Sequence, residues 1–492
     1  MRQMSTLAWR VTPIGTVDEE GRVVGYEGRL ELTWTNKRLR LLAHEDGTYE
    51  WVSPTDYRVA EVRLLHNVAT VGECLSPAER AADNLLIRGD ALHGLTSLIE
   101  LPEFARHYLG KVKLCYIDPP FNTGQAFAQY DDALEHSVWL TMLRDRIVQI
   151  KELLSDDGSI WVHLDDTEVH RARSVLDEVF GMENFVAEVV WQKADSPRSD
   201  AMGLSISHDS LLVYRRSPAW VPNKLPRLQS TDITFGNQDG DPVRWRKKDP
   251  TAPSAASHQG MVYAVQHPIG GHLVYPGVGR CWAMDQAWML TELSRYARYE
   301  LRDIGDEEER SRICGVEPER VRPGVKALML VDPLDTASAQ AQAVYNAGNW
   351  PTIYLTGPGG RRGFQRKQHI SDAGRVPDTW WPHEEAGHNR AAKNEIKALF
   401  AGQHPFATPK PERLLQRIIH IASDSGDLVL DCFAGSGTTA AVAHKMGRRW
   451  ITIEVSPDTL ATFAIPRLQK VVDGMDPGGV TRPSAMKLGR GV

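Results

Sequence analysis

A mostly parallel α/β sheet, interrupted by a long irregular segment, is the fold this sequence predicts. Three observations lead there. Apolar runs of strand length alternate with amphipathic helical stretches from residue 84 to 181, and again from 411 to 454. Two of those runs end in turns that a central strand does not tolerate, Asp118-Pro119-Pro120-Phe121 and Phe433-Ala434-Gly435-Ser436-Gly437. Between the two blocks, residues 219–394 lose this rhythm and are rich in Pro, Gly, Trp and Arg.

Composition sets the outer bounds. At 492 residues the chain is too long for one ordinary core, which implies two to four domains. Hydrophobic content of 42% and charged content of 24% are those of a globular protein. No run approaches 18 apolar residues, so no membrane span is expected. The start, MRQMSTLAWRVTP, lacks the apolar core of a signal peptide. Five scattered cysteines without a CxxC pair point away from a metal site or a disulfide framework and fit a reducing cytoplasm. The net charge of −6 does not by itself advertise a nucleic-acid binder.

The elements follow in order. Residues 1–75 read as a small β-rich accessory domain, with alternating stretches at 29–34 and 58–64 and a turn at Glu45-Asp46-Gly47. Asn84 to Ile87 reads as a buried strand, then Gly89-Asp90 and a helix carrying Leu92, Leu95 and Leu98. Leu114 to Ile117 is the next strand, ending at Asp118, and a polar loop covers 122–132. Val138, Met142, Leu143, Ile147, Ile150 and Leu154 recur at helical spacing, with Gly158 expected to close that helix. Ile160 to Leu164 forms a strand, and a helix through Val169, Val175, Leu176 and Val179 ends at Gly181. After the irregular segment come a helix over 411–422, a strand over 428–430, a helix over 438–446 and a strand over 450–453; residues 476–492 read as a tail.

Two motifs carry chemistry. Consecutive prolines cannot donate to a sheet ladder, so Asp118-Pro119-Pro120-Phe121 is a rigid corner offering a carboxylate, carbonyl acceptors and a flat ring. Those are the parts needed to hold a planar amino-bearing ring such as adenine. The second motif is strand, glycine turn, helix, strand, with Asp431 at the first strand end and Glu454 at the second, 23 residues on. An acid so placed is where a ribose is gripped. A phosphate loop would need a Gly-Lys-Ser/Thr, which is missing. A dinucleotide turn would need a third glycine where Ala440 stands. With alanine in that place the dinucleotide reading is weak but stays open, and S-adenosylmethionine is the third option: Asp431 suits its ammonium and Glu454 its ribose. A merely tight strand-to-helix corner is the bland alternative.

Together these residues resemble the β-class amino-methyltransferases of DNA, in which the Asp-Pro-Pro-aromatic motif precedes Phe-x-Gly-x-Gly and a target-recognition region lies between. Phe406-Ala407-Thr408-Pro409-Lys410-Pro411-Glu412 is similar to that family's additional cofactor-binding element. The strings around Asn84–Asp90, Asp118–Gly124, Gly279–Trp282, Pro377–Trp380 and Phe433–Thr439 look most like the modification subunits of type III restriction-modification systems. Phe121 stands where Tyr is commoner, and Cys432 where Pro or Phe is usual.

The resemblance implies a Rossmann-like, S-adenosylmethionine-dependent methyltransferase fold in circularly permuted order. Its expected parts are an accessory domain at 1–75, a catalytic half at 76–218, a target-recognition domain at 219–394, a cofactor-binding half at 395–475 and a tail at 476–492. Expected catalytic residues are Asp118, Pro119, Pro120 and Phe121. The expected cofactor residues are Asp431, Phe433, Gly435, Gly437, Glu454, Thr408, Lys410 and Asp90. Arg246, Lys247, Arg361, Arg362 and Arg366 are expected at phosphates or guanines of DNA. The implied reaction is methyl transfer to N6 of a flipped adenine in duplex DNA, without a metal. Cytosine-N4 transfer and a non-catalytic DNA-recognition module are the alternatives. The implied partners are double-stranded DNA, a second copy of the chain and a separate helicase-nuclease subunit.

Overall fold

The computed structural model describes residues 15–17, 23–26, 31–43, 49–72, 83–122, 125–126, 131–132, 135–197, 203–227, 233–370, 374–476 and 478–480. The expected turn at 45–47, part of the strand at 29–34, part of the loop at 122–132 and most of the tail at 476–492 lie outside them. The chain forms two compact units, one made of 1–225 with 376–492 and the other of 226–375.

In the first unit, two short hairpins pair β1 (Gly15–Val17) with β2 (Val23–Tyr26) and β3 (Arg40–Ala43) with β4 (Tyr49–Val52). The stretch 58–64, expected as a strand, instead enters a helical turn, α1 (Tyr57–Ala60), and continues as chain that pairs with no strand among the described residues. Asp56 starts that turn by accepting from the Arg58 amide at 2.9 Å.

The α/β elements follow: β5 (Leu85–Arg88), α2 (Ala91–Glu100), α3 (Pro102–Tyr108), β6 (Val112–Ile117), a two-residue pair β7 (Gln125–Ala126) and β8 (Asp131–Asp132), α4 (His136–Leu153), β9 (Leu154–Leu164), α5 (Val169–Phe180), β10 (Phe185–Gln192) and β11 (His208–Arg215). Gly158 does not close α4. It lies inside β9, where an added Cβ would meet the Val112 and Ser155 carbonyl oxygens at 2.8 and 2.9 Å.

Residues 31–40 lie against α4 and α5. Trp34 Nε1 donates to Thr141 Oγ1 at 2.8 Å, Leu32 N to Glu178 Oε1 at 2.8 Å, and Arg40 pairs with Asp145 at 2.5 Å. The segment therefore belongs to the first unit rather than standing apart as an accessory domain.

The second unit contains β12 (Trp245–Lys248), β13 (Thr251–Pro253), β14 (Val265–Gln266), β15 (Leu273–Val274), β16 (Arg280–Trp282), α6 (Gln286–Leu293), β17 (Tyr299–Arg302), α7 (Glu307–Cys314), β18 (Ala327–Leu330), α8 (Leu334–Ala347), β19 (Ile353–Thr356) and β20 (Gly363–His369). Its strands form a three-stranded sheet β12-β20-β19, a four-stranded sheet β15-β14-β18-β17 and the pair β13-β16. It has a core of its own around Tyr263, Trp282, Met289, Leu328, Leu355 and Phe364.

Back in the first unit come β21 (Trp380–Trp381), α9 (His383–Ala386), α10 (Asn389–Leu399), α11 (Glu412–Ala422), β22 (Leu428–Asp431), α12 (Thr438–Lys445), β23 (Arg449–Glu454) and α13 (Ile465–Val472). Its sheet has the order β21-β10-β11-β9-β6-β22-β23-β5. From β5 to β9 every pairing is parallel; β9–β11 and β11–β10 are antiparallel. From Leu114 onward, successive residues of β6 serve opposite faces. Cys115 and Ile117 join the core under α2, α4 and α5, while Leu114 and Tyr116 join the core under α11 and α12. The parallel register sets the ends of β6, β22 and β23 side by side, so Asp118, Asp431 and Glu454 emerge at one edge of the sheet.

Candidate functional site

One cavity of about 1110 Å³ occupies that edge of the first unit. Asp118, Pro119, Pro120, Phe121, Asp90, Thr408, Lys410, Asp431, Phe433, Gly435 and Glu454 all line it. Gly437 does not; it sits behind the turn as the N-cap of α12, with φ 75° and its amide bonded to the Ala434 carbonyl at 2.8 Å.

The Asp118 corner is held from outside the cavity. Trp139 Nε1, on α4, donates to the Pro120 carbonyl at 2.7 Å. Asn122, in the left-handed region at φ 62°, donates from Nδ2 to the buried Glu168 at 2.8 Å. Asp118 Oδ2 pairs with the Lys410 ammonium, which also stands 4.9 Å from the centre of the Phe121 ring. Asp118 Oδ1 is buried and has no hydrogen-bond partner among the described residues. Such an atom costs on the order of 1–3 kcal/mol unless something donates to it.

The glycine turn is shaped by its acids. Glu454 Oε2 accepts from the Gly435 amide at 2.8 Å and Oε1 from the Ser456 amide at 2.9 Å. Burial pushes the Glu454 carboxyl up, against those backbone donors. Asp431 Oδ1 accepts from the Phe433 amide at 2.9 Å. Burial, with the nearby Asp118 and Glu454 charges, pushes Asp431 up to about 7. A Cβ at Gly435 (φ 50°) would come within 3.3 Å of the Phe406 ring, so the cradle there is narrow.

Asp90 is both the N-cap of α2 and a cavity residue. It accepts from the Leu92 amide at 2.7 Å and is paired with Arg146 at 2.8 Å. Burial alone would raise its carboxyl; the Arg146 charge and the Leu92 amide outweigh burial and lower it.

The acids and rings fit S-adenosylmethionine. Asp431 is a buried carboxyl with no cation bonded to it among the described residues, and its chemistry suits an ammonium. Glu454 retains lone pairs for ribose hydroxyls. No lysine stands in the turn to meet a phosphate.

Residues the motifs did not reveal also line the cavity: Arg146, Lys193, Asp209 and Arg390. Arg146 sits in a run read only for its apolar stripe, and its partner Asp90 is 56 residues away. No local pattern marks such a pair.

The five expected DNA contacts all lie in the second unit. Arg246 and Lys247 are on β12 and Arg366 is on β20; Arg361 and Arg362 precede β20 and are exposed. Lys247 is exposed, whereas Arg246 is half-buried, bonded to Gln368 at 3.1 Å and 5.0 Å from the Phe235 ring. Arg366 is half-buried and donates to Met284 Sδ at 3.7 Å. Lys367, in the same basic run, is buried between Asp239 and Asp241 at 2.6 and 2.7 Å and is a core residue. Among the described residues, no helix is long and apolar enough to cross a membrane.

Three curated relatives share much of the chain. The "Probable type III restriction-modification enzyme HindVI Mod subunit" of Haemophilus influenzae is 29% identical over 82% of this chain and 52% of its own length. The StyLTI Mod subunit of Salmonella typhimurium is 27% identical over 73% and 49%, and the EcoP15I Mod subunit of Escherichia coli 24% over 77% and 59%. The chain thus spans about half the length of the curated relatives it matches. The family model described as DNA methylase matches residues 112–311 and 336–464. That match takes in the Asp118 corner, most of the second unit and the glycine turn, and the chain belongs to the DNA methylase family.

Proposed function

We propose that this chain transfers a methyl group from S-adenosylmethionine to N6 of an adenine flipped out of duplex DNA, as the modification component of a type III-like restriction-modification system. The observation that carries the proposal is Asp118 Oδ1, a buried oxygen without a donor among the described residues, in the same cavity as the Phe121 ring, Asp431 and Glu454. The names of the Mod subunit relatives agree with it.

Asp118 Oδ1 accepts one N–H of the target amino group, and the Pro119 carbonyl accepts the other; the Pro120 carbonyl is already taken by Trp139. Two acceptors in that arrangement draw the nitrogen lone pair out of the ring and fix its direction. Phe121 stacks on the base and offsets part of the few kcal/mol that flipping costs. S-adenosylmethionine, when bound, supplies an already activated methyl group. Asp118 then takes the proton that the amino nitrogen gives up. Positioning of this kind supplies up to about 7–11 kcal/mol of a transfer barrier.

The second unit is proposed to read the DNA sequence, with Arg246, Lys247, Arg361, Arg362 and Arg366 as its cations. A second copy of the chain and a helicase-nuclease subunit are the proposed partners, and the cytoplasm its location. The test expresses the chain in a methylation-free host and maps modified bases in the genome, beside Asp118→Ala. N6-methyladenine at one sequence motif, absent with Asp118→Ala, is the expected result. N4-methylcytosine overturns the assigned base, and unmodified DNA despite cofactor binding overturns the activity.

A further inference from the structure

A line of polar side chains crosses four neighbouring strands just behind the Asp118 corner. Tyr116 on β6 bonds through its hydroxyl to His163 Nδ1 at 2.9 Å. His163, at the end of β9, bonds through Nε2 to Asp209 Oδ2 at 3.2 Å. Asp209 begins β11 and pairs through Oδ1 with the Lys193 ammonium at 2.6 Å, just past β10. Tyr116, His163 and Asp209 are buried; Lys193, 20% exposed at its side chain, reaches the cavity wall.

The directions of these bonds follow from the partners. A carboxylate only accepts, so His163 donates from Nε2, and Nδ1 is left to accept from the Tyr116 hydroxyl. Burial and the Lys410 charge lower the His163 pKa and keep its ring neutral. Asp209 is held at about 2: burial pushes it up, but the His163 bond and the Lys193 and Lys410 charges prevail. The imidazole is also walled by rings. Trp191 meets it edge-on at 5.4 Å and Tyr116 at 6.1 Å, and Phe121 lies 5.8 Å away, tilted by 30°. An apolar side chain would fill this space equally well. A ring bonded at both nitrogens fixes its plane too, and the ring in front of it is Phe121.

We infer that His163 is a positioning residue that sets the plane of the Phe121 ring, through a strut running from Tyr116 by way of His163 and Asp209 to Lys193. The inference rests on the proposed reading of Phe121 as the stacking platform for the target base. Lys193 is the accessible end of the strut: its removal frees Asp209, and Asp209 in turn holds His163.

The test uses the full chain, S-adenosylmethionine and a duplex carrying the methylation site, with Lys193→Met and Asp209→Asn beside Lys193→Arg. Lys193→Met leaves the core filled, so it keeps the test open if Asp209→Asn fails to fold. The expected result is a kcat lowered about 10- to 100-fold, the scale of an ångström's misplacement, with cofactor Kd unchanged. The emission of 2-aminopurine at the target position changes in the same variants. Lys193→Arg, which keeps the ion pair, stays within about threefold of the original kcat, by the same positional scale. Original kcat and emission, per folded molecule, in Lys193→Met, and in Asp209→Asn where that variant folds, overturn the inference. An unmutated chain that methylates no DNA overturns the underlying reading instead.

Discussion

Asp431 has no cation bonded to it among the described residues, and it is pushed up to about 7. The sign follows directly. Between the ordinary carboxylate value of 3.8 and about 7, the folded chain keeps a proton that the unfolded chain gives up. Stability without cofactor therefore falls as pH rises through that window. An ammonium ligand favours the ionised form, so cofactor affinity rises with pH up to about 7, by at most roughly tenfold per pH unit. Calorimetric titrations at three pH values check this, and Asp431→Asn flattens the slope. Phe121→Tyr keeps the ring and is expected to keep activity. Phe121→Leu removes a stacking face worth about 1–3 kcal/mol, read as a raised KM for DNA. At this scale the sequence was informative where chemistry is contiguous, as in Asp118 to Phe121 or Phe433 to Gly437. It was silent on Lys193, Asp209 and Arg146, whose meaning lies in partners distant in sequence.

Among the elements, α4 was legible because its apolar period is long, and β6, β22 and α12 because Pro or Gly stands near their ends. The misreading of Gly158 shows the limit of such punctuation. Its absent side chain leaves room for the Val112 and Ser155 carbonyls in the sheet, and nothing local distinguishes that from a helix end. Gly158→Ala forces backbone atoms apart and is expected to lower stability by about 1–3 kcal/mol, seen in the urea midpoint. Gly435→Ala adds a left-handed backbone cost of about 1–2 kcal/mol. Its methyl also presses on Phe406 at 3.3 Å, so cofactor affinity falls more than stability does; titration and melting together separate the two.

For the whole molecule, the irregular composition of 219–394 marked an insertion but not its edges, which contacts set at 226 and 375. The flanking residues serve the first unit: Asn223 donates to the Ile421 carbonyl at 2.8 Å, and Trp380 and Trp381 pair with β10. Each unit has its own core. A chain with residues 226–375 replaced by a short linker is accordingly expected to bind cofactor with unchanged affinity and to lose sequence-selective DNA binding. Calorimetry and competition gel shifts measure the two.

The placement of β22 between β6 and β23 has a consequence for synthesis on the ribosome. When β6 has emerged, its partner strand is still 311 residues away, from Ile117 to Leu428. At about 5–20 residues per second, that edge waits roughly 15–60 s for its neighbour. For that interval the nascent chain presents a buried-type strand, Val112–Ile117, with an open side. Its yield in cells should therefore depend on holding chaperones and on translation speed more than on the stability of the finished fold.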